Sequence, residues 1–315
     1  MLRFACIRLF SLVPLFFVVS ILLFALEPML PNDPARLVVG ADATQEAYDA
    51  ARQDLGLDEP LLKRYGNWLI NAVRGDLGVS YFSGESVSDA IAGRLPVTLS
   101  ITLVAGSLAL LIGVSAGTAA ALLPGSLIDR SISALCAIGI AVPDFWIAMM
   151  LAALFALALN WFPATGFVEF SSSPIGWLQS IALPSMALAI GKGATLAKQM
   201  RVSMLDVLQK SYIRTARAKG ASRTRTVIHH ALRNSLQPVV TVFGIYIGLM
   251  FGGALVIERV FALPGLGSLA FDSVLNSDVP VLQGVILLSV LIVTLVNLGV
   301  DLLYGWLNPK VRVTA

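Results

Sequence analysis

Six long stretches of this chain carry almost no charge, and this feature constrains the fold more than any other. A helix needs roughly 20 apolar residues to cross the hydrocarbon core of a bilayer. The stretches lie at Leu9–Leu26 and at about 97–123, 131–158, 181–200, 237–257 and 281–307. Charged residues make up 13% of the chain, about half the usual share in soluble domains. The pattern predicts an all-α, polytopic membrane protein with about six transmembrane helices.

The first stretch has the features of a retained membrane helix. Arg3 and Arg8 precede it, and its apolar core is longer than that of a secretory signal. An A-x-A-like cleavage site does not follow it. We therefore expect residues 1–30 to form an uncleaved first transmembrane helix.

The distribution of lysine and arginine predicts the orientation of the spans. From Lys198 to Arg233 there are nine basic residues and one acidic residue, whereas Pro31 to Pro96 holds six basic and ten acidic residues. Basic loops face the cytoplasm. We therefore expect the loop 201–235 and both termini to be cytoplasmic. The segment 31–96 is expected outside, with short lateral helices at Glu46–Leu55 and Leu61–Val73, and 97–310 forms a five-helix core.

The cytoplasmic loop contains a predicted short helix, Tyr212–Lys219, which Gly220 closes in a left-handed conformation. Ser222 is placed to cap a second helix that leads into the fifth span, with Pro238 near the entry of that span. We expect Tyr212, Ile213 and Ala216 to pack on a partner, with Arg214, Arg217 and Lys219 in solvent. The alternative is that the basic residues only fix the topology.

Two charges fall within predicted spans. Asp144 lies near the middle of the third, which Pro143 and Asp144 interrupt, and Lys192 lies near the middle of the fourth. A charge at the centre of a membrane helix costs roughly 2.5–3.5 kcal/mol on insertion scales, so each needs a partner or water. The hypothesis is that they line a translocation pathway, paired with each other or with a zwitterionic solute. The alternatives are a structural pair or positions nearer to an interface.

The fifth predicted span has a glycine at every fourth position, namely Gly244, Gly248 and Gly252. Small residues at this spacing let a neighbouring helix approach closely. Intramolecular packing is one interpretation. The other is a subunit interface or the lining of a narrow pathway, for which Gly248 and Gly252 are the candidates.

Several kinds of chemistry find no support in the sequence. His229 and His230 are adjacent and point apart on a helix, so a metal site is not expected. The chain has no G-x-x-x-x-G-K-[ST] loop, so it cannot bind ATP by that motif. A membrane enzyme would need clustered catalytic groups within the spans, and a secondary transporter would show related halves. Neither pattern is found, and we expect no catalytic residue and no cofactor in this chain.

The loop resembles a known family. Arg214-Thr215-Ala216-x-x-x-Gly220 is similar to the E-A-A-x-x-x-G motif of permeases from binding-protein-dependent ABC importers, with Arg214 in place of Glu. The surrounding residues resemble the dipeptide, oligopeptide and nickel subfamily. Further motifs follow in order along the chain: Pro31-Asn32-Asp33-Pro34, Leu55-Gly56-Leu57-Asp58-Glu59-Pro60, Gly75-Asp76-Leu77-Gly78, Arg94-Leu95-Pro96-Val97-Thr98, Glu258-Arg259-Val260-Phe261, Pro264-Gly265-Leu266-Gly267 and Asp278-Val279-Pro280. Asn32 replaces a glycine, and Leu232-Arg233 replaces Leu-Pro.

The resemblance implies a function and partners. The fold would be that of a type I ABC importer transmembrane domain, in a bacterial inner membrane. The chain would form half of a pathway for peptides or similar solutes, with a second permease chain, two ATPase subunits that bind ATP and Mg²⁺, and a periplasmic or lipid-anchored solute-binding protein. The alternative is an ion-coupled transporter or another polytopic membrane protein that ATP does not drive. Relatives in the resembled family carry peptides, nickel or metal chelates, glutathione, haem or opine-like compounds, so the resemblance leaves the solute open. The coupling helix would dock on an ATPase through the residues Tyr212, Ile213, Arg214, Thr215, Ala216, Arg217, Ala218, Lys219 and Gly220.

Overall fold

The computed structural model describes residues 14–25, 33–40 and 42–307, with side chains up to residue 300. Within these ranges the chain is helical between its connections, apart from a single antiparallel bridge between Val79 and Ser86. The helices are α1 Pro14–Ala25, α2 Pro34–Val39, α3 Gln45–Asp54, α4 Leu61–Val73, α5 Val87–Leu122, α6 Leu127–Ala141, α7 Asp144–Ala158, α8 Pro174–Gln209, α9 Ser211–Ala218, α10 Arg223–Val260, α11 Leu266–Leu275 and α12 Val279–Leu307.

Four of these helices, α5, α8, α10 and α12, are long and apolar enough to cross a membrane. A fifth crossing is available if α6 and α7 count together, because they are bent by 104° across a short break. The predicted break at Pro143 and Asp144 is therefore confirmed. The helix α1 is apolar but shorter than a span, and the rest of the predicted first span, residues 9–13 and 26, lies outside the described residues.

The helices extend well beyond the predicted spans. α5 begins at Val87, and α8 continues to Gln209. α10 begins at Arg223, so Pro238, which was predicted near the entry of the fifth span, lies inside a continuous helix. Hydropathy detects the part of a helix that lies in hydrocarbon, and polar residues can continue the same helix outside it. That is why the helices are longer than the predicted spans.

The described residues divide into two compact units, and the larger comprises residues 98–263 and 293–307. Its centre is α8, of whose most apolar 18 residues 67% are buried. Two glycines of α5 allow this helix to approach α8 closely. A Cβ on Gly113 would lie 2.5 Å from Leu196 Cβ, and one on Gly117 would lie 2.5 Å from the carbonyl oxygen of Ala197. Backbone contact of this kind is how helices associate in lipid.

The smaller unit includes the described residues from Pro14 to Val97 and residues 264–292. The two stretches predicted as short helices, Glu46–Leu55 and Leu61–Val73, are helical as α3 and α4. A short hairpin precedes α5, and Asp278 holds it, accepting hydrogen bonds from Ser80 Oγ at 2.5 Å and from the Tyr81 backbone N–H at 3.1 Å. The side chain of Phe82 stands at the hairpin tip and is 67% exposed.

The carboxylate of Asp33 connects α2 to α3. It caps α2 by accepting from the Ala35 N–H at 2.9 Å, and it accepts from the Tyr48 hydroxyl of α3 at 2.6 Å. The Tyr48 hydrogen bond is the main reason why the pKa of Asp33 lies below its ordinary value. Arg52 lies 3.9 Å away and bonds Asp58 at 2.6 Å.

Candidate functional site

The helix α9 is formed and ended by local sequence signals. Lys210 is extended, so α8 stops before α9 begins at Ser211. At the other end Gly220 has a φ of +83°, the Ala221 N–H donates to the Ala216 carbonyl at 3.1 Å, and the Gly220 N–H donates to the Arg217 carbonyl at 3.0 Å. These two bonds and the left-handed glycine form a Schellman motif. The predicted short helix and its glycine cap are confirmed.

One side of α9 is fixed to the rest of the chain. Ile213 is fully buried, and the Tyr212 hydroxyl accepts a hydrogen bond from Asn234 Nδ2 of α10 at 3.0 Å. The expectation that Ile213 packs on a partner is wrong, because its side chain is already enclosed by its own chain. Ile213 is instead the residue that anchors α9.

The other side of α9 is open. Ala216 is half-buried, and the rest of the predicted coupling residues are exposed. These are Tyr212, Arg214, Thr215, Arg217, Ala218, Lys219 and Gly220. The structure therefore presents a short, capped and anchored helix with a cationic outer face.

The segment after α9 runs directly into α10. The Ser222 hydroxyl accepts from the Arg225 N–H at 3.3 Å, which confirms the predicted cap. The first part of α10, Thr226–Leu232, is π-helical and contains His229 and His230. The side chain of Arg223 reaches back to the end of α5 and donates from Nη2 to the Leu122 carbonyl at 3.0 Å.

The two predicted charges within the spans contact each other. The Lys192 ammonium of α8 forms an ion pair with the Asp144 carboxylate, and their side chains are 15% and 25% exposed. Asp144 is the first residue of α7, directly after the predicted break in the third span. A carboxylate in the first turn of a helix also interacts favourably with the helix dipole. The arrangement compensates both charges without any solute.

Two glycines on neighbouring helices leave room for the Asp144 side chain of this ion pair. A Cβ on Gly191 would lie 3.4 Å from Asp144 Oδ1, and a Cβ on Gly253 would lie 3.9 Å from Asp144 Oδ2. The carboxylate therefore lies where α7, α8 and α10 meet.

The glycines of α10 have different surroundings. A Cβ on Gly244 would lie 2.5 Å from Val300 Cγ1, and one on Gly248 would lie 3.1 Å from Val293 Cγ1. Both neighbours belong to α12, so intramolecular packing accounts for these two positions. A Cβ on Gly252 would meet no atom within 4 Å.

Two buried carboxylates had no assigned role in the sequence. Glu258 of α10 is fully buried and accepts a hydrogen bond from Thr98 Oγ1 at 2.6 Å. Asp129, in the first turn of α6, is held by both Nε and Nη2 of Arg201, at 2.6 Å and 2.8 Å. The residues of each pair are far apart in the sequence, so spacing does not reveal them. The sequence offered one signal for Glu258 and Asp129, which is that each is an acidic residue beside an apolar run and therefore needs a polar partner.

The chain is similar to known membrane transport proteins along nearly its whole length. The family model described as "Binding-protein-dependent transport system inner membrane component" matches residues 109–313, and its N-terminal companion matches residues 1–102. A putative peptide transport system permease protein of Brucella abortus is 42% identical over 97% of both chains. A glutathione transport system permease protein of Escherichia coli is 42% identical over 99% of both chains.

A solved structure shows the same fold. The inward-facing MetNI methionine ABC transporter matches with a TM-score of 0.57 and 20% identity, over 69% of this chain and 96% of that one. This likeness confirms the expected transmembrane fold of type I ABC importers. From the family match over nearly the whole chain and the identity with two permeases, the chain belongs to the family of inner membrane components of binding-protein-dependent transport systems.

Proposed function

We propose that this ABC importer permease carries peptides or peptide-like solutes and that α9 is the helix through which a cytoplasmic ATPase drives it. The observation that carries the substrate class is the 42% identity, over almost the full length, to permeases named for peptide and glutathione transport. Both names refer to solutes made of linked amino acids. Nickel, haem and opine-like solutes are the alternatives within the resemblance.

The geometry of α9 supports its coupling role. The helix joins α8 to α10 through connections of a few residues and is anchored by the buried Ile213. A push on its exposed face therefore reaches two membrane helices without an intervening flexible loop. Closure of an ATPase dimer would tilt these helices as rigid bodies and open the pathway on the other side. ATP and Mg²⁺ would be bound by the ATPase chains.

The proposed assembly follows from this role. The basic loop and both termini lie in the cytoplasm of a bacterial cell, and the segment 31–96 faces the binding protein outside. A second, similar permease completes the pathway, and two ATPase chains bind below. This chain acts without catalytic groups of its own.

The Asp144–Lys192 pair is the candidate polar element of the pathway. A solute with an amino group and a carboxylate offers the same two charges, so it could exchange with the pair as the helices separate. Gly252 remains a candidate lining residue because nothing in the described structure fills the space beside it. Gly248 is a weaker candidate, since it packs on Val293.

The test of coupling is a charge reversal on the exposed face of α9. Arg214→Glu with Arg217→Glu should remove the ATPase from the complex purified from membranes, while the permease remains inserted. Arg225→Glu with Arg233→Glu is the matched control, because it makes the same double change on exposed residues after α9 and should keep the ATPase bound. Retention of the ATPase by the α9 variant, or its absence from the wild-type complex, would refute the coupling role.

The test of substrate class is competition for uptake in proteoliposomes with the binding protein present. Unlabelled dipeptides, tripeptides or glutathione should reduce import of a labelled peptide, and nickel should not. Import that no peptide supports would refute the substrate class and leave the coupling role standing.

A further inference from the structure

A bidentate ion pair between Asp129 and Arg201 connects α6 to α8, near the end of α8 that leads into α9. The Asp129 carboxylate is 5% exposed and the Arg201 guanidinium 31% exposed, and two parallel hydrogen bonds join them. Bidentate pairing of this kind fixes the relative orientation of the two side chains as well as their distance. Arg201 lies eight residues before the end of α8 at Gln209, so the ion pair is close to the point where α9 begins.

The same carboxylate closes the turn between α5 and α6. Asp129 Oδ2 accepts from the Gly125 N–H at 2.9 Å, at a glycine whose φ of +77° other residues rarely adopt. From the other side, Arg223 donates to the Leu122 carbonyl at the end of α5. The turn is therefore held by one arginine before α9 and by another after it.

Ion pairs lie on both sides of the contact between α6 and α8. Asp129 of α6 pairs with Arg201 at one end, and Asp144, the first residue of α7 beyond the break, pairs with Lys192 at the other. Arg201 follows Lys192 by nine positions in α8, or about 14 Å of helix. Between these positions α6 packs on α8 through small residues, because a Cβ on Gly139 would lie 3.4 Å from Ala194 Cβ. The helix α6 is therefore held to α8 by its own ion pair at one end and, across the break, by the ion pair of α7 at the other.

We infer that the Asp129–Arg201 pair is a positioning element that makes α6 follow the coupling helix, so that motion of α9 reaches the break at Asp144. This inference rests on the proposed coupling function. Without the pair, α8 and α10 still receive the push from α9. The turn between α5 and α6 no longer follows, and the far ion pair is displaced less for each ATPase cycle.

The predicted defect is one of coupling, which distinguishes it from a loss of fold. The measurement is the number of ATP molecules hydrolysed per solute imported, in proteoliposomes holding the full complex. Asp129→Asn should assemble with the ATPase and raise this ratio by about 2- to 30-fold, the range in which residues along a coupling route act. The exchanged pair Asp129→Arg with Arg201→Asp should lower the ratio again, because the ionic contact is restored.

A matched control lies on the same helix. Asp206 forms an ion pair with Lys210 at 3.0 Å, one helical turn away, but both side chains are more than half exposed. Exposed pairs contribute little, and this one connects no second helix. Asp206→Asn should leave the ratio at the wild-type value.

A second variant decides the matter if Asp129→Asn fails to assemble. Arg201→Lys keeps the positive charge but cannot form the two parallel hydrogen bonds to Asp129, so it should raise the ratio about twofold, the lower limit for such residues, and an unchanged ratio overturns the inference. An unchanged ratio in the assembled Asp129→Asn complex overturns the inference, as does an equal rise in Asp206→Asn. An ATPase that never binds the wild-type chain counts against the proposed function, whereas a bound ATPase with an unchanged ratio counts against this inference alone.

Discussion

Replacing Gly117 by alanine tests whether close backbone contact holds the larger unit together. The added Cβ would lie 2.5 Å from the Ala197 carbonyl oxygen, 2.6 Å from Met200 Cβ and 3.1 Å from the Arg201 backbone nitrogen. Two of these three atoms belong to the backbone of α8. No change of side-chain rotamer can relieve the clash, so the helices must separate.

The structure sets the size of the effect. Ordinary contact begins near 3.4 Å, so the helices must move apart by almost 1 Å at this point. Overpacking of a close-packed interior costs about 1–3 kcal/mol. Gly252 provides the matched control, because a Cβ there meets nothing within 4 Å. Replacing a helical glycine by alanine without a clash gains up to about 1 kcal/mol.

The assay is the free energy of unfolding of the purified subunit in mixed micelles, titrated with a denaturing detergent. Gly117→Ala should be less stable than the wild type by about 1–3 kcal/mol. Gly252→Ala should be equal to the wild type or more stable. If both variants unfold together, the contact between α5 and α8 is not as close as described, and the reasoning fails.

Three further perturbations have defined outcomes. Ile213→Ala removes a fully buried side chain, at a cost of about 2–5 kcal/mol. Trypsin should therefore cleave α9 several-fold faster in this variant, whereas Thr215→Ala, at an exposed position, should be cleaved at the wild-type rate. Equal cleavage rates in the two variants would contradict the anchoring role of Ile213. Asp144→Asn or Lys192→Met alone leaves a charge without its partner and should cost about 3–5 kcal/mol, whereas the double variant recovers much of that stability in the same detergent titration. The double variant should nevertheless lose uptake if the pair contacts solute, and stable single variants would contradict the pairing. The pKa of Asp33 is lowered in the folded protein, so its carboxylate stabilises α2 and α3 at neutral pH and ceases to do so as the pH falls below about 4. Hydrogen exchange of these two helices should accelerate below that pH. Asp33→Asn should abolish this pH dependence.

Local signals carried most of what the sequence could predict about the candidate site. The glycine cap of α9 at Gly220 and the serine cap at Ser222 depend on neighbouring residues alone, so both could be located from the chain. The break in the third span was likewise visible, because Pro143 and Asp144 interrupt an apolar run. The pairing of Asp144 with Lys192 was one of the alternatives, and the structure selects it.

What the sequence missed depends on residues brought together from distant segments. Asp129 and Arg201 are 72 residues apart, and their ion pair appears only when α6 lies against α8. Gly113 and Gly117 have the same spacing as the glycines of α10, but the sequence cannot tell which of several small-residue faces receives a neighbour. Ile213 was assigned to a partner for the same reason, since an apolar residue on a short helix can face inward or outward.

The central claim is that α9 is the surface on which an ATPase acts, and site-specific crosslinking tests it most directly. Thr215→Cys places a thiol on the exposed face of α9, and Phe82→Cys places one on the exposed hairpin of the smaller unit. In membranes holding the whole complex, the Thr215 thiol should crosslink to the nucleotide-binding chain and the Phe82 thiol should not. A Thr215 thiol that reacts only with reagents added outside the cell, or that never reaches the nucleotide-binding chain, would contradict the account.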